Sequence, residues 1–192
     1  MDPLPWKITL VCGASGAGKT RLALPLSRRY GLPLTEVDDI VTAVTALTTP
    51  RQAPALHFWN THPEAAAWPP DALADLHFTV AEALRPGLRA VIEDHLAFDA
   101  PVVLEGDYVL PELAAGYDGA VRAVVVQEAD PAQLVANFAA REPGPDQHVR
   151  AASGVVIGAE LARRAGAAGQ AVVAARPWAD LVERADRALR GR

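Results

Sequence analysis

Eight residues near the N-terminus, Gly13-Ala14-Ser15-Gly16-Ala17-Gly18-Lys19-Thr20, restrict this chain more than anything else in it. Before them, residues 6–12 (WKITLVC) form a short apolar run that reads as a strand buried on both faces. After them, Leu22, Leu26 and Tyr30 recur at helical spacing, and Gly31 reads as the helix terminator. A strand that passes through glycines straight into a helix can curl so that successive N–H groups converge on one point. The positive end of the helix acts on the same point, which makes it an anion site.

The segment satisfies the pattern G-x-x-x-x-G-K-[ST] at every fixed position. Each residue type has its task there. Residues Gly13 to Gly18 line the cradle with main-chain amides, Lys19 reaches the β- and γ-phosphates, and the Thr20 hydroxyl holds Mg²⁺. ATP and Mg²⁺ are therefore the expected ligands.

The rest of the chain alternates. Residues 32–37 (LPLTEV) read as a second strand, 100–106 (APVVLEG) as a third, 120–126 (AVRAVVV) as a fourth and 168–175 (AGQAVVAA) as a fifth. Helical patterns lie between them, including a long one from Asp71 toward residue 97 that Pro86-Gly87 is expected to divide. Pro25 predicts a kink in the first helix, since an interior proline loses a hydrogen bond at a cost of ~3 kcal/mol. Asp130 reads as the N-cap of a helix that starts at Pro131. The expected fold is α/β: a doubly wound five-stranded parallel sheet with both faces covered.

At 192 residues, without internal repeats or a linker, the chain is expected to form a single domain. A net charge of −5 and the lack of a Lys/Arg-rich block weigh against a nucleic-acid partner. No apolar run approaches membrane-spanning length, the opening MDPLPWK lacks a signal-peptide pattern, and Cys12 is alone. A cytoplasmic protein, monomeric or homodimeric, with no membrane partner is expected.

Other users of this motif carry further signatures. An Asn-Lys-x-Asp element for guanine is missing, and so is a Leu-Ser-Gly-Gly-Gln-like segment. AAA+ machines need a longer chain and an Asp-Glu pair ending a strand. What remains resembles the small P-loop kinases of the adenylate-kinase-like group, which also holds shikimate, gluconate and chloramphenicol kinases. Residues 102–113 (VVLEGDYVLPEL) are also similar to the third-strand element of 2-phosphoglycerate kinases. The resemblance implies a helical acceptor-binding region at about residues 40–98 and a lid at about 141–150.

Asp38 and Asp39 fall where the second strand should stop, and ligands of such folds gather at the carboxyl ends of strands. In the resembling kinases an aspartate here takes the acceptor's hydroxyl proton or binds Mg²⁺; Asp38 is favoured over Asp39, with Asp107 facing the acceptor as an alternative. Either aspartate could instead cap the following helix. Glu105 finishes an apolar strand, where a charge is costly without a partner, and Mg²⁺ is the expected one. Arg141 and Arg150 bracket the lid and are expected to close over the transferring phosphoryl group, against the plainer reading of solvated surface arginines. Arg163 and Arg164 are expected on an exposed helix face. The resemblance puts Arg176 where such kinases pack the adenine.

Residues 56–68 (LHFWNTHPEAAAW) read either as a packed, capped segment or as an aromatic wall over the acceptor. A kinase that phosphorylates a hydroxyl of a small molecule is the leading expectation. An ATP-binding regulatory or interaction domain and a nucleoside or nucleotide kinase stand as alternatives.

Overall fold

The computed structural model describes residues 4–143 and 146–191. Five parallel strands, β1 (Ile8–Cys12), β2 (Leu34–Glu36), β3 (Val102–Glu105), β4 (Val121–Gln127) and β5 (Ala171–Ala174), form one sheet in the order β2-β3-β1-β4-β5. The registers fix which residues leave the sheet together. Val11 lies beside Glu105, and Glu36 lies beside Glu105 from the other side. The carboxyl ends of β1, β2 and β3 thus finish at one level, with two glutamates next to each other.

Successive side chains of a strand point to opposite faces, and the two cores follow that alternation. On one face Leu10, Leu104 and Val125 pack against Leu84, Leu88, Ile92 and Leu161. On the other, Val11, Val103 and Val124 pack against Leu22, Leu26, Leu181 and Leu189. Helices α1 (Lys19–Tyr30) and α7 (Leu181–Leu189) cover the second face, while α4 (Pro70–Ala97) and α6 (His148–Ala167) cover the first. The doubly wound, five-stranded parallel sheet is present as expected.

One proline reading does not hold. Helix α1 continues past Pro25, and α4 runs unbroken through Pro86 and Gly87, where a division was expected. An interior proline costs ~3 kcal/mol and a glycine about 1. Helix α4 buries Leu73, Leu76, Val80, Leu84, Leu88 and Ile92, each stabilising by about 1.5–3 kcal/mol. Burial exceeds the local penalty several-fold, so packing keeps the helix continuous through both residues.

Elements around the predicted site also shift. Helix α2 (Val37–Leu47) begins directly after β2, so Asp38 and Asp39 lie in its first turn rather than in a loop before it. Helix α5 (Pro131–Arg141) is capped by Asp130, whose carboxylate accepts from the Ala132 amide at 2.9 Å. Between α2 and α4 the chain forms only α3 (Phe58–Thr61) and a short 3-10 turn, Pro63–Ala67. Among the described residues no helix is long and apolar enough to cross a membrane.

Candidate active site

The phosphate-binding turn is held from several sides. Lys19 is the first residue of α1 and is almost fully buried; its Nζ donates to the Ala14 carbonyl at 3.1 Å, folding the side chain back over the loop. Gly18 has φ 96°, the left-handed region that favours glycine, and a Cβ there would come within 2.3 Å of the Trp178 ring. The indole therefore packs directly on the loop backbone. Asn137 of α5 donates to the Gly16 carbonyl at 2.9 Å, which ties the loop to that helix.

Carboxylates face the loop. Thr20 donates to Glu105 Oε1 at 2.7 Å, and Glu105 is only 4% exposed. Burial raises the Glu105 carboxyl above its ordinary pKa, with the Thr20 hydrogen bond and the Lys19 charge working the other way. The Lys19 ammonium forms an ion pair with Asp107. Although burial alone would raise the Asp107 pKa, Lys19 and its hydrogen bond bring it below the usual carboxylate range. Asp38 joins the same wall for a packing reason: Gly106 lies so close to Val37 that a Cβ there would meet the Val37 Cβ at 2.8 Å. That contact sets the first turn of α2 against the end of β3. Burial raises the Asp38 pKa, and the neighbouring Asp107 charge raises it further.

These groups line one cleft of about 650 Å³, together with Glu36, Arg21, Asn137 and Trp178. Arg141 and Arg150 line it too, one from the last residue of α5 and one from the first turn of α6. Glu142 holds both: Arg141 Nη2 lies 3.1 Å from one of its oxygens and Arg150 Nη1 3.0 Å from the other. The Arg150 guanidinium stacks on the Phe138 ring at 4.1 Å and reaches to 3.5 Å from Ser15 Oγ. Of the lid segment 141–150, residues 144 and 145 lie outside the described residues.

Other expected residues are placed elsewhere. Asp39 is not on the cleft wall. Arg176 is not among the residues that line the cleft but is tied to one of them: its Nε lies 3.1 Å from the buried Glu128, and its Nη2 donates to Asn137 Oδ1 at 3.4 Å. Arg164 is half-buried and ion-paired with Glu82, Glu112 and Glu160, which corrects its reading as a solvated residue; Arg163 is exposed and pairs with Glu160. The aromatic segment packs largely on itself, with Phe58 stacked on His62 at 4.3 Å and edge-on to Trp68 at 5.5 Å, and His57 buried against the Thr48 hydroxyl at 3.1 Å. Asn137, Trp178, Arg21 and Glu36 were not singled out from the sequence. Only Glu36, a charge at the end of a strand, carried a signal of the kind that marked Glu105.

A Mg²⁺ ion fits this arrangement in one way. Among the described residues no group of three or more His, Cys, Asp or Glu side chains converges to hold a metal. Mg²⁺ commonly takes only one or two protein ligands and completes its shell with waters and substrate phosphates. Thr20 and the buried Glu105 supply such a pair at the mouth of the phosphate cradle.

Comparison with known proteins agrees with this geometry. Residues 8–158 match the family AAA_33, described as an AAA domain. The chain lacks the Asp-Glu strand end of AAA+ machines; Glu105-Gly106-Asp107 stands at the end of β3 instead. No curated protein matches the sequence. Among solved structures, a gluconokinase from Sinorhizobium meliloti 1021 superposes with a TM-score of 0.57 at 18% identity, covering 99% of this chain and 94% of its own. A shikimate kinase from Acinetobacter baumannii in complex with shikimate gives 0.53 at 16% identity, with 97% and 94% covered. The protein TT1252 from Thermus thermophilus gives 0.52 at 22% identity, with 97% of each chain covered. The likeness of residues 102–113 to 2-phosphoglycerate kinases has no counterpart among these. With a family match across most of its length and this sheet order around the loop at Gly13–Thr20, the chain belongs to the AAA_33 family and has the fold of the small P-loop kinases.

Proposed function

We propose that the protein is an ATP- and Mg²⁺-dependent kinase that transfers the γ-phosphate of ATP to a hydroxyl group of a small molecule. One observation carries the reading. The phosphate loop shares a single cleft with strand-end carboxylates on one side and two arginines from α5 and α6 on the other. Phosphoryl transfer needs little covalent chemistry from a protein; it needs positioning, a proton acceptor and positive charge around the moving group.

Asp38 is the proton acceptor in this scheme. It accepts the acceptor's hydroxyl proton as that oxygen's lone pair forms the new bond to Pγ. The bond from Pγ to the β,γ-bridging oxygen breaks, and its electron pair stays on the β-phosphate of ADP. A raised pKa suits a general base, because a carboxylate with some proton affinity takes the proton more readily. Lys19 moves from Asp107 to the phosphate oxygens, and Arg141 and Arg150 neutralise the charge on the transferring group. Thr20 and Glu105 would hold Mg²⁺, which would supply further charge neutralisation.

ADP release in a coupled assay, with and without candidate hydroxyl acceptors, tests the proposal. Acceptor-dependent release that Asp38→Asn abolishes, with Mg-ATP binding retained, is the expected result. Wild-type turnover by Asp38→Asn would remove Asp38 from the base role. Mg-ATP binding with no acceptor-dependent release would instead favour a regulatory ATP-binding domain.

A further inference from the structure

The cleft is electrically divided, and the division follows the sheet order. Its carboxylates are Glu36 and Glu105 at the ends of β2 and β3, Asp38 at the start of α2, and Asp107 just past β3. Its cations are Lys19 and Arg21 of α1 with Arg141 and Arg150 of α5 and α6. Strands β2 and β3 lie to one side of β1, and β4, which leads into α5, lies to the other. The positive groups are therefore gathered at the phosphate loop and beyond it, and the negative groups on the β2–β3 side, where the acceptor must approach Asp38.

Nucleotide binding sharpens the imbalance. At present Lys19 neutralises Asp107. Once Lys19 turns to the phosphates, Asp107 loses its partner, while Arg141 and Arg150 are committed to the same phosphates. Mg²⁺, held by Thr20 and Glu105 in this reading, neutralises Glu105 but leaves Glu36 and Asp107, and among the described residues no further cationic side chain lines that side. The arginines between residues 38 and 98 are elsewhere: Arg85 is paired with Glu82 and Glu112, Arg89 neighbours Glu93 and Tyr117, and Arg51 is on the surface. None of the three lines the cleft. His77 packs beside Tyr108 at 5.0 Å between ring centroids and close to Asp107, whose charge raises its pKa; burial is the larger influence and lowers it to about 4.

Resting on the kinase reading above, we infer that the acceptor is a positively charged hydroxyl compound, an amine-bearing polyol of the aminosugar or aminocyclitol kind. Its ammonium group lies against Glu36 and Asp107 while a hydroxyl on the same molecule faces Asp38. The ammonium takes no part in the transfer; it supplies the charge that the protein withholds. Sugar acids, phosphorylated sugars and nucleoside monophosphates are excluded by the same wall, since like charges placed together without a counter-ion are strongly disfavoured.

The test is ADP release at saturating Mg-ATP with acceptors matched in shape and differing in charge, led by glucosamine, glucose and gluconate. The wider panel adds aminocyclitols, neutral nucleosides and nucleoside monophosphates. The amines are expected to give kcat/KM at least about tenfold above their neutral counterparts, the acids nothing, and the gap should narrow as salt is raised. Glu36→Gln is expected to raise KM for the amines several-fold, and by a larger factor than it changes KM for neutral compounds. A neutral or anionic acceptor that equals the amines, or an amine preference insensitive to both salt and Glu36→Gln, overturns this inference and leaves the kinase reading standing. If no class raises ADP release although Mg-ATP binds, the kinase reading itself fails, and this inference with it.

Discussion

The two sides of the cleft are built by different means. On the β4 side the phosphate loop is cross-linked: Asn137 holds the Gly16 carbonyl, Trp178 packs on Gly18, and Arg150 stacks on Phe138 beside Ser15. Glu128 and Arg176 support Asn137. On the β2 side anchorage is sparse. Val37 is the one buried residue of α2, and α3 has none. A bound polyphosphate needs amides fixed before it arrives, whereas a wall that admits a particular small molecule needs charge and space more than stiffness. In the proposed kinase the anchored side would hold the nucleotide and the carboxylate side would select the acceptor.

The largest effect should come from removing the one charge that serves both sides. Lys19→Ala is expected to lower kcat/KM for ADP release by roughly 10³-fold, the scale for losing a charged group aimed at the transition state. It also leaves Asp107 unpaired, so nothing on the acceptor side compensates.

Asp38→Asn should separate the sides. Turnover is expected to fall about 10²–10⁴-fold, the usual contribution of a positioned base and near loss of measurable release at the upper end, while the Kd for Mg-ATP stays within about twofold. The wild-type rate should decline on acidification through a pKa above the ordinary aspartate value, because Asp38 must be ionised to accept a proton and its surroundings raise its pKa. The linkage has the opposite sign for stability. A carboxyl whose folded pKa is raised destabilises the fold progressively as pH rises from its unfolded pKa to its folded one, so Asp38→Asn should melt slightly higher than wild type at neutral pH and equal to it in acid. Thermal melts at both pH values check this.

Leu88→Ala, in the buried stripe of α4, tests whether the long helix serves stability alone. A loss of about 2–5 kcal/mol in denaturant unfolding is expected, with the Kd for Mg-ATP unchanged in the protein that remains folded. The smallest effect belongs to Asn137→Ala. Deleting its bond to Gly16 is expected to cost about 1 kcal/mol in Mg-ATP affinity, near fivefold in Kd by calorimetry, with KM for the acceptor unchanged.

The β4 side was also the more legible in sequence, for the same reason. Amide geometry at Gly13–Thr20 is a local property of the chain, so spacing alone reveals it, and the strand–helix alternation yielded the sheet. Arg141 and Arg150, expected at the two ends of the lid segment, both line the cleft. Asn137 and Trp178 were not expected there, because an amide and an indole become part of the site only when α5 and the segment before α7 fold onto the loop. Pro86-Gly87 misled because local propensity there is outweighed by the side chains that α4 buries. Arg164 misled because, besides its neighbour Glu160, its partners Glu82 and Glu112 lie on α4 and the turn at Pro111–Ala114, distant in sequence. Asp107 was read as facing the acceptor, and only the folded chain reveals its ion pair with Lys19.

Titration of Mg-ATP into folded wild-type protein by calorimetry bears most directly on the whole account. A saturable heat with one site per chain is predicted, arising from amides and a lysine already arranged around Gly13–Thr20. A flat titration with protein shown to be folded by its melting transition would contradict it, since neither half of the cleft has a role without the nucleotide.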